Sequence, residues 1–317
     1  MIVKKRTIPF ILRQEEVLEK RLPYRHPKKS AVMKSISKRR AGYWGEQELD
    51  YPLSYLDDRQ YHIFHDLRIV DGDKVFQIDT LLVTNRVAII LEVKNISGII
   101  QFDPTFSQLI RKGETREERL PNPLVQVGRQ RRHLSKWFSS HHIALPIKYC
   151  VVFTHPSAVI KSSELNPHQH AITQVENLFD HIVNLESQFN TPTTLPGNMN
   201  QMILDAHTPL SPTNILDKYS ISYDELQKGV ECPKCKSFHM NWLRKRWRCS
   251  TCHYYSRDSH KQAIVDYFLL GFPYMNNAIF RDFVRRDDSR AASYFLSKMD
   301  FQTSGHKRSL RYHSPHL

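Results

Sequence analysis

Two acidic residues and a lysine interrupt otherwise apolar stretches of this chain. Asp79 lies in QIDTLLV, and Glu92 and Lys94 lie in AIILEVK. Unpaired charge in a buried strand is costly, so these side chains need partners. Carboxylate oxygens are ligands that Mg²⁺ and Mn²⁺ prefer, and a neighbouring lysine can polarise a water molecule or stabilise developing negative charge. The three residues are therefore candidates for a catalytic metal site.

A pair of strands joined by a tight turn would bring these residues together. Three consecutive apolar segments, separated by the turn sequences DGD and TNR, are typical of successive strands: residues 61–70, 74–83 and 87–96. Alternate side chains of a strand share a face, so Glu92 and Lys94 point the same way. If the second turn is centred on Asn85 and Arg86, Asp79 lies opposite Glu92, with Cβ atoms roughly 5 Å apart.

Two other interpretations of these charges stay open. A Glu-X-Lys pattern in a strand is also typical of a solvated face or an ion pair, and a three-residue turn would point Asp79 away from Glu92. The apolar neighbours favour a central strand, where two opposed carboxylates repel each other strongly unless a cation lies between them. We therefore expect Mg²⁺, or Mn²⁺ in its place, at Asp79 and Glu92.

Helices are predicted before and after these strands. Residues 43–56 have leucines at helical spacing and include Glu46, while Pro52 predicts a kink or a break. Residues 126–138 have the pattern of an amphipathic helix opened by PNP, and residues 147–155 that of a further buried strand. This order predicts an α/β fold, a mixed sheet with a helix across one face.

Residues 41–155 resemble a known family, the nuclease-related domain, or NERD. The motifs that carry the resemblance are, in order, GYWGEQEL, QIDTLLV, ILEVKN and NPLVQ. The family is similar in fold to the restriction-endonuclease-like, or PD-(D/E)xK, superfamily, so the resemblance implies a mixed sheet of that type flanked by helices. It also implies a catalytic set of Glu46, Asp79, Glu92 and Lys94, with Gln126 as an accessory residue. Ile78 stands where the superfamily has proline, while the carboxylate that the chemistry needs is retained.

Four cysteines form two C-x-x-C pairs separated by 13 residues. They are Cys232, Cys235, Cys249 and Cys252. This spacing is a strong signal for a structural zinc ion held by four thiolates, as in a zinc ribbon. Such a site has no open position for substrate, so we assign it no catalysis. Paired redox motifs are the alternative, and the thioredoxin-like context that they would need is missing.

Two groups of basic residues are candidates for phosphate contact. One lies on the predicted helix over residues 126–138: Arg129, Arg132 and Lys136, together with Arg131 and His133. The other lies among the cysteines and is interleaved with aromatic residues: Arg244, Lys245, Arg246 and Arg248. Basic residues mixed with aromatics suit nucleic acid, through phosphate neutralisation and base stacking. A solvated helix face is the alternative for the first group, and Trp247 fits the small core of a ribbon.

Charge points to the same class of partner. The 317 residues include 46 Lys and Arg against 32 Asp and Glu, a formal net charge of +14 and a pI near 9.5. An excess of this size favours a polyanionic partner such as nucleic acid or anionic lipid, and charge alone does not choose between them. Together with the nuclease-like motifs, it leads us to expect nucleic acid, DNA in particular. No stretch has the roughly 18 apolar residues of a membrane helix and no secretion signal is evident, so we expect a cytoplasmic protein without a membrane partner.

We therefore divide the chain into five predicted parts. They are a basic N-terminal arm (1–40), a NERD nuclease-like domain (41–155), peripheral helices and a linker (156–227), a zinc ribbon (228–258) and a helical C-terminal domain (259–317). The predicted function is Mg²⁺-dependent hydrolysis of DNA phosphodiester bonds, with the ribbon aiding nucleic-acid binding. The alternative is a non-catalytic nucleic-acid-binding protein that keeps a nuclease-like fold as a platform.

Overall fold

The computed structural model of the protein describes residues 1–103, 105–113, 117–162, 169–210 and 213–313. Residues 163–168 and 211–212 of the predicted peripheral part, and 314–317 of the predicted C-terminal domain, lie outside these ranges. The chain forms two units, each with its own core. The first unit contains Met1–Ile8 and Arg39–Leu210, and the second contains Pro9–Lys38 and Ser211–Leu317.

The described ranges contain both strands and helices. The strands are β1 (Ile2–Lys4), β2 (His62–Asp71), β3 (Lys74–Val83), β4 (Ala88–Lys94), β5 (Gly98–Asp103), β6 (Gln108–Lys112), β7 (Glu117–Leu120), β8 (Ile147–Phe153), β9 (Ala158–Ser162), β10 (Ile172–Gln174), β11 (Met240–Leu243), β12 (Arg246–Cys249), β13 (Tyr255–Ser256), β14 (Gln302–Ser304) and β15 (Arg311–His313). The α-helices are α1 (Phe10–Arg21), α2 (Lys29–Gln47), α3 (Asp50–Leu53), α4 (Pro123–Ser140), α5 (Leu178–Ser187), α6 (Met199–Ala206), α7 (Ile215–Tyr219), α8 (Ser259–Leu269), α9 (Asn277–Val284) and α10 (Ser289–Ser297). Single 3₁₀ turns cover Gln169–Ala171, Val175–Asn177, Tyr223–Glu225 and Lys307–Ser309.

The first unit is built on a mixed sheet of six strands in the order β1-β2-β3-β4-β8-β10. Strands β2, β3 and β4 form an antiparallel meander, while β1 joins β2, and β8 joins β4 and β10, in parallel. The sheet is apolar on both faces because helices cover both. Leu81 and Ile90 pack in one cluster with Leu134 of α4, and Leu82 and Leu91 pack in another that includes α5. This arrangement confirms the predicted fold class, an α/β mixed sheet flanked by helices.

A second sheet in the first unit was not predicted. Its order is β7-β6-β5-β9, with β5, β6 and β7 antiparallel and β9 parallel to β5. The chain leaves β4 after Lys94, builds this sheet and then enters α4, whose first turn is capped by the side chain of Asn122 with Pro123 following. The predicted helix after PNP is thereby confirmed.

The second unit gathers the cysteines and the C-terminal helices around one core. The three strands β11, β12 and β13 are antiparallel, and β14 pairs with β15. The expected C-terminal helices are present as α8, α9 and α10. Trp247 of the cysteine segment packs in the same cluster as Phe280 and Leu296 of these helices. The predicted ribbon and the predicted helical domain therefore share a hydrophobic core.

The N-terminal residues differ from the expected basic arm. Helix α1 buries Leu12, Leu18 and Leu22 in the core of the second unit, while Ile2–Lys4 form an edge strand of the first unit. Positive charge obscured this in the sequence, because Lys20 and Arg21 at the end of α1 find their counter-charge in Asp266, far along the chain. Among the described residues, none of the helices combines the length and the apolar character needed to cross a membrane.

Candidate active site

The hairpin of β3 and β4 has the predicted register. Thr80 pairs with Leu91 and Val83 with Ala88, so the next opposed positions are Asp79 and Glu92. Asp79 Oδ2 accepts a hydrogen bond of 2.9 Å from the backbone N–H of Val93. The carboxyl group of Asp79 is thereby held against β4, next to Glu92.

Glu92 is buried and is contacted by side chains from its own strand and from α4. Lys94 Nζ donates to Glu92 Oε1 at 2.5 Å, and Gln130 Nε2 donates to Glu92 Oε2 at 2.7 Å. Lys94 Nζ also donates to Gln126 Oε1 at 3.2 Å. Gln126 and Gln130 lie one turn apart on α4, so this helix approaches the acidic pair from one side. The structure brings together the predicted residues Asp79, Glu92, Lys94 and Gln126.

Glu46 reaches the same cluster because α2 packs unusually close to the end of β4. A Cβ atom at Gly45 would lie 2.5 Å from Asn95 Cβ and 2.8 Å from Thr154 Oγ1, so the position has no room for a side chain. Asn95 Nδ2 also donates to the carbonyl oxygen of Ala41 at 2.7 Å, which fixes the helix there. Gly45 of the GYWGEQEL motif thus allows α2 to approach closely enough for Glu46 to lie beside the hairpin.

Asp66 is an acidic member of the cluster that was not predicted. Strand β2 pairs with β3 so that His65 faces Thr80 and Leu67 faces Ile78, which leaves Asp66 opposite Asp79. The backbone of Asp66 has a φ of 51°, an irregular position within the strand. The sequence could have predicted this position. A two-residue turn at Gly72-Asp73, like the one at Asn85-Arg86, gives the register that places Asp66 opposite Asp79.

The carboxyl groups disfavour one another's charged forms. Burial, followed by the charge of Glu92, raises the pKa of Asp79 to about 7, although the Val93 N–H and Lys94 act in the opposite direction. Burial and then the charges of Asp79 and Asp66 raise the pKa of Glu46 to about 9. An excess of buried acid of this kind is relieved by a bound cation.

The donor set fits a hard divalent ion. Asp79 and Glu92 offer carboxylate oxygens, and such ions take their remaining ligands from water and substrate phosphate. Among the described residues, the carboxyl groups of Glu46, Asp79 and Glu92 are not gathered as tightly as the four cysteines are. Asp79 and Glu92 are therefore the candidate ligands for a shared ion, with Glu46 in the same acidic cluster.

The basic residues of α4 lie on its solvent-facing side. Arg129 and Arg132 are exposed, and Lys136 Nζ lies 3.0 Å from Asp71 Oδ2 at the turn between β2 and β3. His133 is only partly exposed, because its ring stacks on Phe76 with centroids 5.4 Å apart. Arg129 and Arg132 are therefore free to meet a phosphate, while Lys136 has an acidic neighbour.

The four cysteines of the second unit converge as the spacing predicted. All four sulfur atoms lie within 4.8 Å of one another, with Cys232 Sγ 3.6 Å from Cys252 Sγ and Cys235 Sγ 3.5 Å from Cys249 Sγ. Four sulfurs at about 2.3 Å from a tetrahedral zinc ion would be about 3.8 Å apart. The cluster fits a structural Zn²⁺.

The hairpin between the cysteine pairs presents basic residues at its tip. Leu243 pairs with Arg246, which leaves Arg244 and Lys245 as a two-residue loop with φ angles of 48° and 63°. Such angles favour glycine, and each costs another residue roughly 1 kcal/mol. Trp247 lies in the core, 1% exposed, and donates from Nε1 to His260 Nδ1 at 3.1 Å, as the core interpretation predicted.

The first unit is an α/β domain whose central strands carry an acidic pair beside a lysine. Residues 41–154 match the model of one family, the nuclease-related domain, NERD. The segment that carries the candidate site is therefore similar to the nuclease-related domain. No curated protein matches the chain. The crystal structure of protein VC1899 from Vibrio cholerae is similar over 56% of this chain, with 12% identity and a TM-score of 0.23, too low for any conclusion. The chain spans 42% of the length of that protein.

Proposed function

We propose that the protein is a metal-dependent nuclease that hydrolyses DNA phosphodiester bonds at the site around Asp79 and Glu92. The observation that carries the proposal is the β3–β4 register, which sets these two carboxyl groups side by side with Lys94 and Gln126 against them. A nuclease-related family match over the same residues supports it. A restriction-endonuclease-like relationship for this domain is part of the same proposal.

Mg²⁺ or Mn²⁺ bound by Asp79 and Glu92 would lower the pKa of a water molecule and polarise the phosphate. Lys94 Nζ, held between Glu92 and Gln126, is in position to orient that water and to stabilise the charge that develops on the phosphoryl oxygens. The water oxygen would lose a proton to solvent as it forms a bond to phosphorus. The bond from phosphorus to the leaving sugar oxygen would break, and that oxygen would take up a proton from solvent. Glu46, whose pKa is raised to about 9, would lose its proton beside a bound cation, and its charge would then strengthen cation binding.

The basic residues supply the grip on the polyanion. Arg129 and Arg132 flank the site on α4, and both are exposed. In the second unit, Arg244, Lys245 and Arg246 are exposed on the hairpin of the proposed zinc ribbon. Each phosphate contact releases counterions, so affinity for DNA should fall steeply as salt is raised.

A non-catalytic binding platform is the second candidate, and one observation favours it. Both oxygens of Glu92 already accept hydrogen bonds from the protein, from Lys94 and from Gln130. These contacts do not by themselves rule out the nuclease, because a carboxylate oxygen has two lone pairs and can accept a hydrogen bond while it binds a metal. A site closed by these contacts would still leave the basic surfaces able to bind nucleic acid.

The two candidates are separated by a cleavage assay. Supercoiled plasmid and linear single-stranded DNA are incubated with the protein in Mg²⁺ or Mn²⁺, beside the variants Asp79→Asn and Glu92→Gln. Glu48→Gln is the matched control, because Glu48 is exposed and lies two residues from Glu46. We expect cleavage by the wild type and the control alone. Cleavage that survives both site substitutions would refute the assignment, and binding without cleavage under either metal would support the platform.

A further inference from the structure

Arg6 is a buried cation inside the acidic cluster, and it comes from outside the segment that matches the nuclease-related family. Its side chain is 5% exposed. Arg6 Nε lies 3.7 Å from Glu46 Oε2, and Nη1 forms an ion pair and a hydrogen bond with Asp50 Oδ1. One guanidinium thus joins the last turn of α2 to the first residue of α3.

The other side of the guanidinium faces β2 and β3. Arg6 Nη2 donates to His65 Nδ1 at 3.0 Å and approaches Thr80 Oγ1 at 3.5 Å. Burial, followed by the charge of Arg6, lowers the pKa of His65 to about 3, so the imidazole is neutral and its Nδ1 accepts the hydrogen bond. Arg6 therefore connects two helices to the strands that carry Asp66 and Asp79.

The strand before Arg6 fixes its position. Strand β1 pairs in parallel with β2, with Ile2 opposite Ile63. Lys4 Nζ donates to the carbonyl oxygen of His65 at 2.8 Å, and the backbone N–H of Thr7 donates to Asp66 Oδ2 at 3.3 Å. Contacts on both sides of Arg6 hold this stretch of backbone against the acidic cluster.

We infer that Arg6 is a positioning residue of the candidate metal centre, whose planar guanidinium holds the Glu46 carboxylate beside the Asp79–Glu92 pair. The inference rests on the proposed function, since it assigns Arg6 a role at the same metal site. The rigid guanidinium hydrogen-bonds to Asp50 and His65 while its Nε lies within ion-pair distance of Glu46, 3.7 Å from Oε2, which a lysine ammonium cannot do with the same geometry. Residues that orient metal-binding groups typically change metal affinity by about 10- to 100-fold when they are replaced.

Two simpler roles predict different behaviour. If Arg6 only balanced negative charge, its removal would tighten cation binding, because a positive charge near a cation site repels the ion. If Arg6 only held the fold together, its replacement would lower stability and leave metal affinity unchanged in the protein that remains folded. A positioning role predicts weaker metal binding even when the charge is kept.

The test measures Mn²⁺ binding by electron paramagnetic resonance in the full chain with its zinc retained. The variants are Arg6→Lys, which keeps the charge, and Arg6→Gln, which removes it. Lys5→Gln is the matched control, because Lys5 is the exposed neighbour and loses the same charge. Amide hydrogen exchange in β4 reports whether the first unit of each variant is folded.

We expect both Arg6 variants to bind Mn²⁺ roughly tenfold more weakly than the wild type and the Lys5→Gln control. Tighter binding by Arg6→Gln, or unchanged binding by both variants, would overturn the inference while leaving the proposed function intact. Absence of Mn²⁺ binding that depends on Asp79 and Glu92 in the wild type would overturn both. If only Arg6→Gln unfolds, Mn²⁺ binding by Arg6→Lys tests the inference.

Discussion

Asp79→Asn should stabilise the first unit when no divalent cation occupies the site. The fold raises the pKa of Asp79 from an ordinary value of 3.8 to about 7. Below pH 4 the carboxyl is protonated in both folded and unfolded chains, so its ionisation does not affect stability. As pH rises towards 7 the unfolded chain loses the proton and the folded chain keeps it, so stability is progressively lost, and above 7 the loss is complete.

The magnitude follows from the size of the pKa change. About three pKa units at 1.36 kcal/mol each give an upper limit of about 4 kcal/mol at pH 8. Rearrangement and water entry reduce it, so we expect Asp79→Asn to gain about 1–3 kcal/mol at pH 8 and almost nothing at pH 4. The amide oxygen of the variant can still accept the hydrogen bond from the Val93 N–H.

The assay must report the first unit alone, because a chain with two units does not unfold in one step. Amide hydrogen exchange in β4 is measured at pH 5 and pH 8 in buffer free of Mg²⁺ and Mn²⁺, with zinc kept in the second unit. Asp73→Asn is the control, since Asp73 is exposed at the turn between β2 and β3. A variant that is no more stable than the wild type at pH 8, or gains as much at pH 5, would refute the account of a strained acidic cluster.

Three further predictions concern close packing, zinc and the N-terminal helix. Gly45→Ala should weaken Mn²⁺ binding and lower the free energy of unfolding by about 1–3 kcal/mol, because a Cβ atom has no room there. In the control Gly42→Ala, on the same helix, the new Cβ has nothing within 4 Å, so denaturant unfolding should show a neutral or slightly stabilising effect. Cys232→Ser should lower the zinc content from one ion per chain, measured by atomic absorption, and loosen the second unit; a full zinc complement would contradict the four-cysteine site. Leu18→Ala should destabilise the second unit by about 2–5 kcal/mol, while Met33→Ala, 51% exposed, should not; equal effects would contradict the burial of α1.

The central hairpin could be predicted from sequence because local rules determine it. Apolar runs of known period and a two-residue turn at Asn85-Arg86 give a single register, and that register places Asp79 beside Glu92. The same rule applied at Gly72-Asp73 would have placed Asp66 there as well.

Long-range packing was beyond these local rules. Phe76 and Ile78 belong to the same cluster as Leu81 and Val83, although positions of opposite parity face opposite ways in a regular strand. The alternation therefore reverses around Asp79, beside the irregular backbone of Asp66. The burial of α1 in the second unit is equally non-local, since the helix packs with residues some 200 positions later in the chain. The positive charge of residues 1–40 alone suggested a basic arm there.

Buried charge occurs in both units, and the difference in its pairing supports a functional assignment for one of them. In the second unit, Asp266 is fully buried, and its two oxygens meet Arg21 and Lys20 at 2.8 and 2.7 Å. That carboxylate has its counter-charges from the protein, so it needs no ion.

In the first unit, Arg6 approaches the acidic cluster, yet the pKa values of Asp79 and Glu46 remain raised. Four acidic groups around a lysine and an arginine cannot all ionise near neutral pH, which costs the fold stability until a cation binds. Proteins keep such local conflicts chiefly at functional sites, and this contrast within one chain is the reason to look for a metal ion at β3 and β4.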